Sequence, residues 1–237
     1  MHLDGQSIIV SGAGGNLGAA IVRELAAHGA LLTLAEMKRA PLDALVASLD
    51  AKEKPEIVAD VDLRNADACA RVVDAALKRF GRVDALANTV GGFAMAPIAG
   101  GEASAHWTEL MALNALSVLN LSAAVTPVMK ANKYGRIVHV AAGAGLKAFA
   151  NASVYSASKA AVIRITEALA EEHKDDGVTA NCILPGTIDT PQNRAAMPKA
   201  DTSQWVKPEA IAKVIAFLVS RDAGAITGAA IPVTGHG

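Results

Sequence analysis

Ser7-Ile-Ile-Val-Ser11-Gly12-Ala-Gly14-Gly15-Asn16-Leu17-Gly18 is a short β-type run that ends in a glycine cluster and leads directly into a helical stripe. That stripe, Leu17–His28, sets Leu17, Ala20, Ile21 and Leu25 on one side at helical spacing. A strand, a glycine turn and a helix in this order bring backbone N–H groups to a helix N-terminus, where a pyrophosphate is held. Any tight βα turn uses glycine. The cluster gains its weight from its place after the first strand and inside a βαβ unit. Gly12, Gly15, Asn16, Leu17 and Gly18 are therefore the expected phosphate-side binding segment.

Outward from that turn, strand and helix alternate along the chain. Leu31–Ala35 is an apolar run, Leu42–Leu49 a helix, Ile57–Ala59 a strand and Asp67–Phe80 a helix. Val83–Ala87 reads as strand, Trp107–Met129 as a long helix and Ile137–Ala141 as strand. A helix from about Ser153 to His173, a strand at Val178–Leu184, a helix at Pro208–Ser220 and a strand at Ile231–Val233 follow. This pattern predicts an α/β fold, a doubly wound parallel sheet of about seven strands with helices on both faces. No Pro/Gly/Ser linker or repeat divides the chain, so residues 1–237 are expected to form one domain. The least regular stretch, 189–206, holds Pro191 and Pro198 and is too long for a plain connection; it is the expected substrate lid.

Composition narrows the function classes. Hydrophobic residues make up 52% and charged ones 19%, which excludes disorder, and aromatics at 3% leave the core to Ala, Val, Leu and Ile. A net charge of −1 points away from nucleic acid and anionic membranes. Two cysteines, Cys69 and Cys182, exclude a disulfide framework and a Cys-based zinc site, and six histidines without ligand spacing suggest no metal. His139, in a strand, is expected to be structural; His236, near the chain end, is a candidate to reach a neighbouring subunit. The opening residues lack a secretory pattern, so a reducing, cytoplasmic setting is expected. Leu110–Met129 carries no charge over a membrane-spanning length. It holds Asn114, Ser117, Asn120, Ser122, Thr126 and Pro127, which are costly in lipid, so a buried helix inside the domain or at a subunit interface is predicted.

Glu36 ends the second apolar run, about where an acidic residue bonds the adenosine ribose hydroxyls. Its carboxylate would repel a 2′-phosphate, which argues for NAD(H) over NADP(H), although Lys38 and Arg39 follow it closely. Asp60-Val61, ending the third run, would lie at the adenine edge, or Asp60 would cap the next helix. Tyr155 and Lys159 are four apart and share a helix face. A tyrosine with a pKa near about 10 is a poor acid–base group at neutral pH, and a nearby ammonium brings it toward the working range.

With Tyr155-Ser-Ala-Ser-Lys159, the first turn and several ordered matches, nearly the whole chain resembles the short-chain dehydrogenase/reductase family, whose fold is a Rossmann sheet. Asp84-Ala-Leu-Ala-Asn88-Thr-Val-Gly91 is similar to the family segment after strand four, Asn114 to its helix Asn, and Gly135-Arg-Ile-Val to the start of strand five. Asn181, Pro185-Gly186-Thr187-Ile188-Asp189-Thr190, Pro208-Glu209 and Ile226-Thr227-Gly228 match further family positions. The resemblance implies an oxidoreductase that passes hydride between a nicotinamide and a small carbonyl, alcohol or quinonoid substrate. It gives Tyr155 the proton transfer, Lys159 the nicotinamide ribose, and Asn114 a water linked to that lysine. It lays Asn88, Gly91, Pro185 and Gly186 along the cofactor, and assigns the carboxamide to the Ile188 backbone and the Thr190 hydroxyl. It also implies a homodimer through the long helix and the helix from Ser153, extended to a homotetramer by the final strand.

Two positions depart from the family pattern. The usual middle glycine is Asn16, which tolerates positive φ better than most residues. The usual catalytic serine, thirteen residues before the tyrosine, is Ala142, and loss of one such donor typically costs about 10²–10³ in rate. Ser153 is a candidate replacement or a helix cap, and Thr89 and Thr187 are further candidates. Quinonoid dihydropteridine reductases show alanine there as well. Gly91-Gly92-Phe93, residues 190–205 and Ile231-Pro-Val-Thr234 are similar to segments of those enzymes, with Phe93 and Trp205 available to stack on a flat ring. The opposing expectation is a non-catalytic NAD(H)-binding sensor or scaffold, motivated by Ala142.

Overall fold

The computed structural model describes residues 3–235; His236 lies outside them. Seven parallel strands are β1 (Ser7–Ser11), β2 (Leu31–Ala35), β3 (Glu56–Val58), β4 (Ala85–Asn88), β5 (Gly135–Val140), β6 (Val178–Pro185) and β7 (Ala230–Val233), in the order β3-β2-β1-β4-β5-β6-β7. The direction of winding reverses between β1 and β4, which opens a crevice at the strands' carboxyl ends, where open α/β sheets bind ligands.

Both faces are covered, as the alternation predicts. Helices α1 (Asn16–Ala27) and α2 (Arg39–Ala47) bury Ile21, Leu25, Leu42 and Leu45 on Ile8, Val10, Leu32 and Leu34 of one face. Helix α3 (Ala66–Phe80) buries Cys69, Val72 and Ala76 on the other, with Ile9, Leu86 and Ile137. Alternate strand residues thus serve opposite faces, as the period of two requires. Asn65 caps α3, its side chain accepting from Asp67 N (2.8 Å) and Ala68 N (3.2 Å). Asp60, the other reading of that cap, instead sits exposed at φ 57°.

The long helix, uncharged over Leu110–Met129, is not one regular α-helix. After the short α4 (Glu102–Ala105) come α5 (Trp107–Leu110), a π-helical segment Met111–Leu116, and α6 (Ser117–Ala131). By length and composition this helix is long and apolar enough to cross a membrane. Its Leu121, Val125 and Met129 are instead fully buried against α3 and the sheet, and Asn114, Ser117 and Ser122 are buried too. Helices α7 (Ser153–Glu172), α8 (Pro191–Ala196) and α9 (Pro208–Leu218) complete the set, α9 packing beside α1 through Ile211 and Ile215. The stretch 189–206 therefore holds a helix, α8, and a 3₁₀ turn at Thr202–Gln204, and is pinned at its ends by a bridge between Ile188 and Val206.

A different cluster closes the amino end of the sheet. Buried Arg136 donates to the carbonyls of Gly135 (2.8 Å), Gly177 (3.2 Å) and Ser220 (3.3 Å). It lies 4.5 Å from the Tyr134 ring centre, and Arg221 4.8 Å from it. Asp84 accepts from Ser7 N (2.8 Å) and from Arg82 (2.6 Å), tying β1 to the entry of β4.

Candidate active site

The glycine turn is shaped by contacts that leave no room for side chains. Gly12 has φ 67° and donates to Ala35 O (2.9 Å), while Gly15 N donates to Gly12 O (3.1 Å). A Cβ on Gly18 would overlap the Gly12 carbonyl and stand 2.8 Å from Ala13 Cα, so α1 starts hard against the turn. Asn16 is the first residue of α1 and not a positive-φ residue; the left-handed position falls on Gly12 instead. Its side chain reaches away from the turn, Nδ2 donating to Gln192 Oε1 of α8 (2.6 Å). Leu17 packs against the core beneath.

Glu36 lies at the end of β2, beside Val61 and next to the glycine turn. Glu36 Oε2 accepts from Gly14 N (3.1 Å) and Oε1 from Met37 N (2.8 Å), so the carboxylate lies over the glycine turn. Val61 N donates to Glu36 O (3.2 Å), holding the end of the third run beside it. A cleft of about 410 Å³ lined by Gly14, Gly15, Asn16, Asp189, Pro191 and Lys207 continues from the turn toward α8. Glycine positions that a Cβ would fill, a helix N-terminus and an acceptor at the ribose side fit a dinucleotide.

Asn88 ends β4 with its side chain committed inside the protein. Its Oδ1 accepts from Ser11 Oγ (2.6 Å) and Val90 N (3.3 Å), which fixes the amide so that Nδ2 faces His139 Nδ1 (3.5 Å). His139, fully buried in register with Asn88, also meets Ser122 Oγ (3.2 Å) through Nε2. Burial, with Lys159 nearby, pushes its pKa down to about 3, so the ring is neutral. Nδ1 is then the acceptor and Nε2 carries the proton. This polar row was not legible beforehand; the register of β1, β4 and β5 is what reveals it.

Asn114, Gly91, Tyr155 and Lys159 converge. A Cβ on Gly91 would stand 2.9 Å from Asn114 Oδ1 and 3.1 Å from Lys159 Nζ. Asn114, on the π-helical segment, clamps the next residue: Oδ1 accepts from Gly92 N (2.7 Å) and Nδ2 donates to Gly92 O (3.1 Å). Nδ2 also donates to Ser158 Oγ (2.8 Å), which donates to Tyr155 O (2.7 Å). Sequence reasoning missed both Gly92 and Ser158. The π-helix, a distortion frequent at functional sites, sets the Asn114 side chain toward this loop.

The Tyr155–Lys159 electrostatics differ from expectation. Lys159 Nζ donates to Val140 O (2.9 Å) and stands 6.0 Å from the Tyr155 ring centre. Burial lowers the Lys159 pKa to about 8 and raises that of Tyr155, so the phenol is held protonated rather than eased toward phenolate. Desolvation penalises both charged forms, and the ammonium is directed at a carbonyl, not at the phenol.

Ala142 is buried and extended, one residue before the 3₁₀ turn Gly143–Gly145, whose Gly145 packs on the Lys159 backbone. Two of the replacement hydroxyls are placed otherwise: Thr89 Oγ1 donates to Ser11 O (2.7 Å), and Thr187 is exposed. Ser153 is the first residue of α7, not its cap; Ala152 holds that position, and no side-chain bond closes the helix start. Across the crevice, Pro185 ends β6, and a Cβ on Gly186 would lie 3.2 Å from Thr234 O. Ile188 O accepts from Asn193 Nδ2 (2.8 Å), and buried Thr190 caps α8, its Oγ1 accepting from Asn193 N (3.2 Å). Trp205 is half-buried at the end of the 3₁₀ turn.

The chain resembles many characterised proteins along its length. It is 30% identical to a 7alpha-hydroxysteroid dehydrogenase of Bacteroides fragilis over 99% of this chain and 95% of that protein. The same identity and coverage relate it to a meso-2,3-butanediol dehydrogenase of Serratia marcescens. The crystal structure of levodione reductase superposes with a TM-score of 0.90 at 26% identity, covering 99% of this chain and 98% of that one. The family described as short chain dehydrogenase matches residues 6–201, and with the parallel sheet and these relatives this shows that the chain belongs to the short-chain dehydrogenase/reductase family.

Proposed function

We propose that the protein is an NAD(H)-preferring oxidoreductase that reduces a carbonyl compound, or oxidises the matching alcohol, with Tyr155 as the proton-transfer group. The convergence of Gly91, Asn114, Tyr155 and Lys159 beside the glycine turn carries this reading. A nicotinamide dinucleotide, when bound, supplies the hydride. Gly12, Gly14, Gly15 and Gly18 let the backbone approach its phosphates, and the Glu36 carboxylate accepts from a ribose diol while repelling a 2′-phosphate. The reading assigns Asp60, Val61, Asn88, Gly91, Pro185, Gly186, Ile188 and Thr190 to the path of the dinucleotide, and residues 189–206 to a lid over the substrate.

Tyr155, whose pKa burial raises, gives a proton to a carbonyl oxygen in reduction and takes one back from an alcohol in oxidation. Lys159 Nζ, bonded to Val140 O and 6.0 Å from the Tyr155 ring centre, lends positive charge to that exchange from a distance and not through a direct bond to the phenol. Asn114 holds the Gly91–Gly92 segment against both groups. Tyr155→Phe should abolish turnover while leaving NADH affinity within about twofold of the parent; full activity in that variant would refute the assignment.

A quinonoid ring as substrate is a second reading, favoured by Ala142: an electron-poor conjugated ring needs less help from a hydroxyl donor. We also place the enzyme in a reducing, cytoplasmic setting, supported by two buried free cysteines. Exposed Leu116 and Leu119 on the long helix support self-association into a dimer or tetramer. Light scattering that shows only monomer would remove that part.

A further inference from the structure

The two loops beside Tyr155 carry almost no charge. Residues 91–98 after β4 have no ionisable side chain, and residues 141–152 after β5 have only Lys147, which is exposed. Both loops instead present large apolar groups to solvent: Phe93 is 60% exposed, Leu146 60%, Phe149 50% and Met95 47%. The loops are joined to each other, Ala96 N donating to Asn151 O (2.8 Å). Both are also fixed to α7. The Phe93 ring meets the Tyr155 ring edge-on, centroids 4.8 Å apart and planes at 79°, and Gly145 lies against the Lys159 backbone.

Scattered apolar side chains on a surface need no account, but here they sit on two joined loops, one of which sets Phe93 against the phenol that the proposed reaction uses. A carboxylate or phosphate brought to this rim would lose water and gain no fixed cation. The Lys159 ammonium is buried and already bonded to Val140 O. An uncharged ring, in contrast, would bury apolar area and meet the open side of Phe93.

Resting on the oxidoreductase reading above, we propose that the substrate is an uncharged, ring-bearing ketone or the matching secondary alcohol, and that Phe93 is the residue that selects it. Stacking on one aromatic ring together with its buried area is worth about ten- to a hundredfold in kcat/KM. The test is NADH-dependent reduction by the full chain of 4-phenylcyclohexanone, cyclohexanone and 4-oxocyclohexanecarboxylate, beside an NADH fluorescence titration. The phenyl ketone should exceed cyclohexanone by at least about tenfold, with the carboxylate below both. Phe93→Ala should cut that advantage to about twofold through KM, with NADH affinity retained, and Leu146→Ala should act in the same direction. A preference for the carboxylate, or a phenyl advantage that survives Phe93→Ala, overturns the substrate class and leaves the oxidoreductase reading standing. Failure to bind NADH at all overturns that reading, and this proposal with it.

Discussion

Lys159→Met should make the folded protein more stable while removing its activity. The buried ammonium has its pKa lowered from an ordinary value near 10.5 to about 8. The unfolded chain therefore binds that proton more tightly than the folded one. The resulting penalty is fully present below about pH 8 and fades as the pH rises toward 10.5. From those two values it amounts to about 3 kcal/mol at pH 7 and about 1 kcal/mol at pH 10. Methionine keeps the apolar stem, but leaves Val140 O without its 2.9 Å donor, a loss of about 1 kcal/mol. The net gain is about 2 kcal/mol at pH 7, or ~4–8 °C in melting temperature for a chain of this size, and close to nothing at pH 10. Urea and thermal unfolding of both proteins, without ligand, at the two pH values measure it, with NADH-dependent turnover followed in parallel. A variant that is less stable at pH 7, or whose advantage does not shrink on going to pH 10, would refute the assignment of a strained buried cation.

Three further outcomes are open to direct measurement. Glu36→Ser should lower the NADH-over-NADPH preference in kcat/KM by at least about tenfold; an unchanged ratio would show that the carboxylate does not read the ribose. His139 takes its proton near pH 6.5 in the unfolded chain but only at about 3 when folded, so it contributes stability that is lost as the pH falls through that window. His139→Asn should flatten the acid limb of a stability–pH curve, and an identical limb would sink the argument. Ala142→Ser should raise turnover of simple ketones by about 10–10² by restoring a donor, and no change would mean that another group already supplies it.

What the sequence revealed was mostly what is local in it. The strand–turn–helix of Ser7–Ala27 and the alternation of apolar periods needed only neighbours along the chain, and so did the four-residue spacing of Tyr155 and Lys159. The clamp of Asn114 on Gly92, the row Ser11–Asn88–His139–Ser122 and the bond from Asn16 to Gln192 join residues 17 to 176 positions apart; sheet register aligns the row's strand residues, and the packing of helices and loops brings the others together. The π-helical segment has no periodic signature over six residues. The direction of the Tyr155 shift is not legible in the sequence, because the spacing shows a cation nearby but not how dry the site is or where Nζ points. Ser153 looked like a cap because serine favours that place, yet the helix begins one residue earlier than that role requires.

All seven strands point the same way, so the molecule has two poles of different character. At one, Gly12 and Gly91 follow strand ends and Lys159 reaches the end of β5 from α7; at the other, Arg136, Tyr134 and Arg221 stack, and Asp84 stitches two strands together. A library of every single replacement, read once for cellular abundance and once for specific activity, should divide along that axis. Changes at the arginine–tyrosine stack would deplete the protein, whereas changes at the opposite pole would leave it plentiful and idle.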